Sequence, residues 1–358
     1  MRVVQGRPQH YDWGDLVAIP RLLGLATDGR PWAEFWWGTH EAAPSTIDDG
    51  QPLIEVTGPL PYLVKLLAAA RPLSLQLHPS AEQAAAGFAR DVERRIYRDP
   101  WPKPEMICAL TRFEALCGLA SPHVVTSRID SLGTAADEFG GRYRTEGTRA
   151  VMSWLLRERP NMTAVVDAAR RLDEPWAAWL VRLAGWHPDD PAVAAVIMLH
   201  HIVLEPGEAM FLGAGHLHAY LHGVGLEVMG PSDNVVRGGL TSKYVDVDAV
   251  VALMSETVLD DPVVRPQRRR HEAADVDRYD VAEAPFVVER WKVAGTTSAT
   301  AEGDELWWCA EGDGPVGRGV CVLVRDGDVL PLERGSVLYR VTAAARRPTP
   351  DRADAPGR

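Results

Sequence analysis

Leu73-Ser74-Leu75-Gln76-Leu77-His78 alternates apolar and polar residues, the period-two pattern of a strand whose side chains project to opposite faces. Its polar face, Ser74, Gln76 and His78, carries no charge to keep it solvated, which is unusual for plain structure. Side chains two residues apart on a strand sit about 6.6 Å apart, near enough to converge on one ion. Lys103-Pro104-Glu105 and Leu217-His218-Ala219-Tyr220 add a carboxylate and a second imidazole. Gln76, His78, Glu105 and His218 are a catalytic metal site in outline: two nitrogens, two oxygens and room for water. A lone His78 reads as a buried core histidine; the set of four points to a metal.

The elements that must position these groups are legible in the pattern. Residues 62–67 and 73–78 read as a strand pair. A helix over 81–96 follows, with Ser80 and Gln83 spaced as a capping box. The loop at 99–104 holds Pro100, Pro102 and Pro104, which forbid a helix and fix the backbone ahead of Glu105. Residues 121–200 turn helical, with apolar stripes at 163–172, 175–184 and 192–202. Strand signals resume at 209–212, punctuated by Gly213, Gly215, Gly223 and Gly225. Residues 263–280, with Arg268, Arg269 and Arg270 among many acids, read as a solvated connector. Short strands at 286–293, 305–309, 320–324 and 336–341 form a second β unit. No short internal repeat is apparent. Two units of short strands suggest barrel or jelly-roll architecture.

Composition sets the class. At 358 residues the chain exceeds one ordinary core. A net charge of −11 with 46% hydrophobic and 24% charged residues describes a soluble globular protein that binds neither nucleic acid nor a membrane surface. The four cysteines (108, 117, 309 and 321) lack metal-type spacing and read as free thiols. With no apolar signal core at the N-terminus and no bilayer-length apolar run, the expected compartment is the cytoplasm.

Several segments, taken in order, resemble one known family. They are Tyr11-Asp12-Trp13-Gly14, Glu34-Phe35-Trp36-Trp37-Gly38-Thr39-His40, residues 63–65, the Gln76/His78 strand, Lys103-Pro104-Glu105, His218-Ala219-Tyr220 and residues 233–243. Together they are similar to the type I mannose-6-phosphate isomerases (phosphomannose isomerases), zinc enzymes of the cupin superfamily. The C-terminal third fits the family's second cupin domain weakly. The resemblance implies a mainly β fold of two cupin-type jelly-roll units with an α-helical insertion. The catalytic cupin would comprise 1–120 and 201–262, the helical insertion 121–200 and the C-terminal cupin-like unit 263–345. Residues 346–358 would be a disordered tail. It also implies one zinc per chain on Gln76, His78, Glu105 and His218; mixed imidazole and oxygen ligands suit zinc, with other divalent ions open.

In the family, positions matching Arg237, Lys243 and Ser74 lie at the sugar-phosphate end, where a guanidinium fork, an ammonium and a hydroxyl suit a phosphate dianion. Gly238 and Gly239 let the backbone approach it. Aldose–ketose isomerisation through an enediol needs an acid/base group near the sugar. Lys103, Glu227 and Asp233 are the candidates, with Lys65 for ring opening. Trp13 is the aromatic residue expected to line the sugar pocket. The expected partner is a small sugar phosphate, on the way to GDP-mannose, and the expected assembly is a monomer or weak homo-oligomer.

The chain departs from the family at Pro102, where a histidine is usual, at Trp101, where a small polar residue is common, and at Ser242 in the familiar Thr-Pro-Lys. His216 has no family counterpart and reads either as an extra group behind a metal ligand or as a solvated turn residue, the second being favoured. Other readings stay open: an isomerase for a different (phospho)sugar, a non-catalytic metal-binding cupin that senses sugar phosphates, or an iron cupin oxygenase.

Overall fold

Alternation and turn residues do place strands at both ends of the chain, with helices between. The computed structural model describes residues 1–91, 93 and 96–345; the tail at 346–358 lies outside them. Among the described residues there are two large antiparallel sheets, one of eleven strands and one of eight, so the fold is mainly β with cupin-like units. No helix among them is long and apolar enough to cross a membrane.

The axis of the larger sheet is the twelve-residue strand His218–Met229. It pairs with Leu63–Ala69, Glu105–Ala109, Leu75–Leu77 and Phe113–Leu119, so one strand touches the segments that carry Lys65, Glu105 and Gln76. Alternation then sorts the faces. Leu75, Leu77, Leu217, Ala219 and Leu221 are buried in one core with the helical insertion, while Gln76 and His218 stand opposite each other in register. The insertion comprises Pro122–Leu132, Asp137–Arg157 (kinked at Gly147), Thr163–Ala169 and Pro175–Trp186. It packs against the Leu75/Leu77 and Leu217/Ala219/Leu221 face of the sheet, and its end at Trp186 reaches the rim of the cavity.

Local expectations met mixed outcomes. The capping box is present: the Gln83 N–H donates to Ser80 Oγ and the Ser80 N–H to Gln83 Oε1. That helix ends at Arg90 rather than 96, because the Asp91 carboxylate accepts from the N–H groups of Ile96 and Tyr97 and turns the chain. The stripe at 192–202 is no α-helix. It is a 3₁₀ segment, Pro191–Ile197, followed by the strand Leu199–Leu204. Residues 191–199 are all buried, and an apolar run buried on every side has no usable periodicity. The basic run read as a connector is instead the strand Gln267–His271, the edge of the eight-stranded sheet. Charged side chains are a common way to guard such an edge.

The first residues of the chain pass from one sheet into the other: Arg2–Gln5 lies in the eight-stranded sheet and Arg7–Gln9 in the eleven-stranded one. Arg2–Gln5 pairs with Cys321–Val324 in the second sheet and with Thr46–Ile47. A shared core of Val4, Trp37, Tyr62, Trp308 and Tyr339 lies between the units. Here the fold exposes a repeat missed in the sequence. Glu34-Phe35-Trp36-Trp37 and Glu305-Leu306-Trp307-Trp308 lie on strands in which the first tryptophan faces a cation on the neighbouring strand, Lys65 or Arg340. The second tryptophans, Trp37 and Trp308, meet in the shared core with ring centroids 6.4 Å apart. Four residues recurring once, far apart, leave no periodic signal.

Candidate metal centre and active-site cavity

Three buried ligand atoms face one another with nothing between them. His78 Nε2 lies 3.3 Å from Glu105 Oε2, and His218 Nε2 lies 3.6 Å from the same oxygen. The His78 Nδ1–H donates to the Asn234 carbonyl at 2.7 Å and the His218 Nδ1–H to the His216 carbonyl at 2.9 Å. Each Nε2 therefore presents a lone pair, as in metal-ligating histidines held by an outer carbonyl. Burial pushes His218 down to about 3, so its ring stays neutral. Two imidazole lone pairs and a carboxylate oxygen repel rather than bond, and all three atoms are buried without a hydrogen-bond partner. Buried polar atoms are rarely left so.

A divalent cation resolves the conflict. Ligands about 2.0–2.1 Å from a tetrahedral zinc stand about 3.3 Å apart, close to the observed separations. All three atoms lie within 4.8 Å of one another. Gln76 stands opposite His218 on the adjacent strand and is half-buried on the cavity wall. The residues present fit a metal.

A chain of buried charge leads away from this centre. Lys103 Nζ sits 2.9 Å from Glu105 Oε1. Burial alone would raise the Glu105 carboxyl, but the Lys103 ammonium beside it holds it well below the usual range. Lys65 Nζ lies 3.4 Å from Glu227 Oε2, 3.6 Å from Glu34 Oε1 and 4.6 Å from the Trp36 ring centroid. Burial opposes its charge, yet Glu34 and Glu227 outweigh burial and raise it. Glu227 is pushed up to about 7 by burial and by the Glu105 charge, against the pull of Lys65. Its Oε1 accepts from the Tyr220 hydroxyl at 2.8 Å.

An open cavity of about 690 Å³ lies over these groups. Trp13, Lys65, Ser74, Gln76, Lys103, Asp233, Arg237 and Lys243 all line it, which brings together most of the residues singled out from the sequence. Glu227, His78, Glu105 and His218 are not among the lining residues; Glu227 stands beside Lys65 and Glu105 beside Lys103. Arg237 is on the strand Val236–Gly239, directly opposite Gln76, so the cationic end is tied to the metal strand. The Asp233 N–H donates to Asp99 Oδ2 at 2.8 Å, and Asp233 Oδ1 lies 3.4 Å from His40 Nε2. Trp13 stacks on Tyr11 with centroids 5.7 Å apart.

Some supporting residues were not foreseen. Glu34, Asn234 and His40 each hold a site residue through a contact between distant segments, which no local pattern reveals; Tyr220 holds Glu227 from within the same strand. His216 is no solvated turn residue: its carbonyl anchors His218 and its own Nδ1 is buried. Of the two departures beside Lys103, Trp101 is 61% exposed, and neither it nor Pro102 is among the lining residues.

Comparison with known proteins bears on what this centre serves. Residues 50–121 match the family model described as phosphomannose isomerase type I, catalytic domain. The chain is 35% identical to mannose-6-phosphate isomerase of Salmonella typhimurium over 282 residues, 68% of this chain and 72% of that one. It is 28% identical to mannose-6-phosphate isomerase 1 of Arabidopsis thaliana over 366 residues, 85% and 82% of the two chains. The crystal structure of a lysine-to-alanine mutant of phosphomannose isomerase from Salmonella typhimurium superposes with a TM-score of 0.86 at 27% identity, covering 96% of this chain and 99% of that one. The chain belongs to the type I phosphomannose isomerase family.

Proposed function

We propose that the protein interconverts mannose 6-phosphate and fructose 6-phosphate with one zinc ion held by Gln76, His78, Glu105 and His218. The observation that carries this reading is the convergence of three partnerless ligand atoms beside a cavity that Arg237 and Lys243 also line. When bound, the metal supplies fixed positive charge that orients and polarises sugar oxygens. Arg237, Lys243 and Ser74 take the phosphate and set the register of the sugar. Trp13 offers a flat apolar face to the ring.

Lys65 is kept charged between Glu34 and Glu227, and serves as the proton donor that helps open the ring. In the open chain the C2–H bond breaks and a C1–H bond forms. The C1 carbonyl becomes a hydroxyl while the C2 hydroxyl becomes the carbonyl, its proton passing from O2 to O1. Lys103, in its free-amine form, takes the proton from C2 and returns it to C1, since it lines the cavity beside Glu105. Glu227 acts through Lys65, and Asp233 holds sugar hydroxyls at the rim. Four unpaired, buried cysteines suit a reducing cytoplasm.

Turnover of mannose 6-phosphate by the purified protein in deuterium oxide tests the reaction and its path. Fructose 6-phosphate carrying deuterium at C1 supports proton transfer through an enediol. Product without any deuterium points to a hydride shift, and no product removes the proposed activity.

A further inference from the structure

The Arg237–Lys243 segment is held in its shape by a residue from the helical insertion. Asp190, at the start of the Pro191–Ile197 segment, accepts from the Ala192 N–H through Oδ1 at 3.0 Å. Its other oxygen, Oδ2, accepts from the Leu240 N–H at 2.7 Å. Leu240 is three residues after Arg237 and three before Lys243, at the midpoint of the two cations. The backbone there is unusual. Leu240 has φ of 55°, a left-handed conformation rare for a leucine, and is 3% exposed. Gly239 has φ of 122°, and a Cβ on it would come within 2.2 Å of the Ala192 methyl. The strand register shifts between Arg237 and Gly239. Such a conformation persists only where its surroundings hold it, and the Asp190 carboxylate is the hold.

The same junction reaches the cavity. The Asp190 N–H donates to the His187 carbonyl, and His187 and Trp186 line the cavity with Arg237 and Lys243. On the other side, Arg159 Nη2 donates to the Asp189 carbonyl at 2.7 Å, bracing the loop against the insertion's longest helix.

We infer that Asp190 is a positioning residue that fixes the spacing of Arg237 and Lys243 and thereby sets affinity for the substrate's phosphate group. The inference rests on the reading that these two cations bind phosphate. It assigns the helical insertion a role in substrate affinity, through a residue that is not itself among those lining the cavity.

The test compares wild type, Asp190→Ala, Asp190→Asn, Arg237→Ala and the Asp190→Ala/Arg237→Ala double variant. The readouts are kcat and KM for mannose 6-phosphate, the inhibition constant of inorganic phosphate, and metal content. Asp190→Ala is expected to raise KM and the phosphate inhibition constant about tenfold, with kcat within about threefold of wild type and metal unchanged. Asp190→Asn, which keeps one acceptor oxygen, should fall between. In the Arg237→Ala background the Asp190→Ala effect should shrink below about twofold, because the two act through one loop. Asp190→Ala with KM and inhibition constant within about twofold of wild type overturns the inference, as does an undiminished effect in the Arg237→Ala background. Should Asp190→Ala fail to fold, Asp190→Asn decides by the same criteria. If Arg237→Ala itself leaves phosphate inhibition unchanged, the phosphate reading fails first and the inference falls with it.

Discussion

Two strand pairs of one design lie in this molecule, one in each β unit, and they end differently. In the first, Trp36 Nε1–H donates to Glu34 Oε2 at 2.8 Å, and Lys65 stands over the Trp36 ring. In the second, Trp307 Nε1–H donates to Glu305 Oε2 at 3.0 Å, and Arg340 stands over Trp307. The second cluster closes on itself. Arg340 Nε donates to Glu305 Oε2 at 2.8 Å and Nη1 to Glu289 Oε2 at 3.3 Å, while Trp291 and Arg278 complete Glu289. Among the described residues, none of the Arg340, Glu289 or Glu305 polar atoms is buried without a partner. The first cluster opens onto a cavity, and beside it three ligand atoms have no partner. Buried charge alone therefore does not mark a site. Nor does a single partnerless atom, since Arg149, Arg290 and Trp308 each have one; what marks the site is three partnerless ligand atoms converging on one point.

The sharpest contrast sets Lys65→Met against Arg340→Ala. Lys65→Met is expected to lower kcat by about 10²–10⁴-fold with a small loss of stability, because Glu227, already raised to about 7, takes up a proton once its partner is gone. Arg340→Ala leaves two buried carboxylates with less compensation and is expected to cost about 3–5 kcal/mol, a fall in Tm of about 10 °C. The kcat of its folded fraction should be unchanged. Melting curves and initial rates on both variants check this. An Arg340→Ala protein with normal stability and lost turnover would dissolve the distinction.

A second contrast is in pH. Glu227 is raised in the folded state, so between its unfolded pKa and about 7 the folded chain keeps a proton that the unfolded chain has lost. Its contribution to stability is present below that window and is lost as pH rises through it. Glu289 runs the other way: burial would raise it, but Arg340, Trp291 and Arg269 hold it below its usual value. That stability is present above the unfolded pKa and is lost as pH falls through the folded one. In chelated protein, Glu227→Gln should flatten the decline on the neutral side and Glu289→Gln the decline on the acid side. Melts across about pH 4 to 8 would show no such separation if the clusters were alike.

The smallest effect is expected at Pro102. It stands where the family usually has a histidine, but it is not a lining residue, and Lys103 and Lys65 already supply cavity cations. Pro102→His should change kcat by less than about threefold; a rise of tenfold or more would show that a proton-transfer group is missing here.

What was legible in the sequence was what local spacing encodes. Alternation in 73–78 separated the Leu75/Leu77 core face from the Gln76/His78 face, and the Ser80/Gln83 cap and the proline loop before Glu105 follow from backbone chemistry. The family's motifs then joined Glu105 and His218 to that strand. The supporting contacts were not legible. Asn234 holds His78, Glu34 holds Lys65 and Asp190 holds Leu240 only because sheet register and the helical insertion bring remote segments together. The mistaken helix at 192–202 has the same origin, since full burial erases the periodicity that would tell helix from strand. The paired Glu-x-Trp-Trp segments carry a signal visible in hindsight, although only the strand partners give it meaning.

The most direct measurement is metal content alongside turnover of mannose 6-phosphate, taken on the protein as purified, after chelation, after zinc is returned, and on His78→Ala. The expected result is about one zinc per chain, turnover abolished by chelation and restored by zinc, and a folded His78→Ala protein with neither metal nor activity. Full turnover in metal-free protein, or full zinc occupancy in His78→Ala, would contradict the assignment of the three partnerless atoms to a catalytic metal.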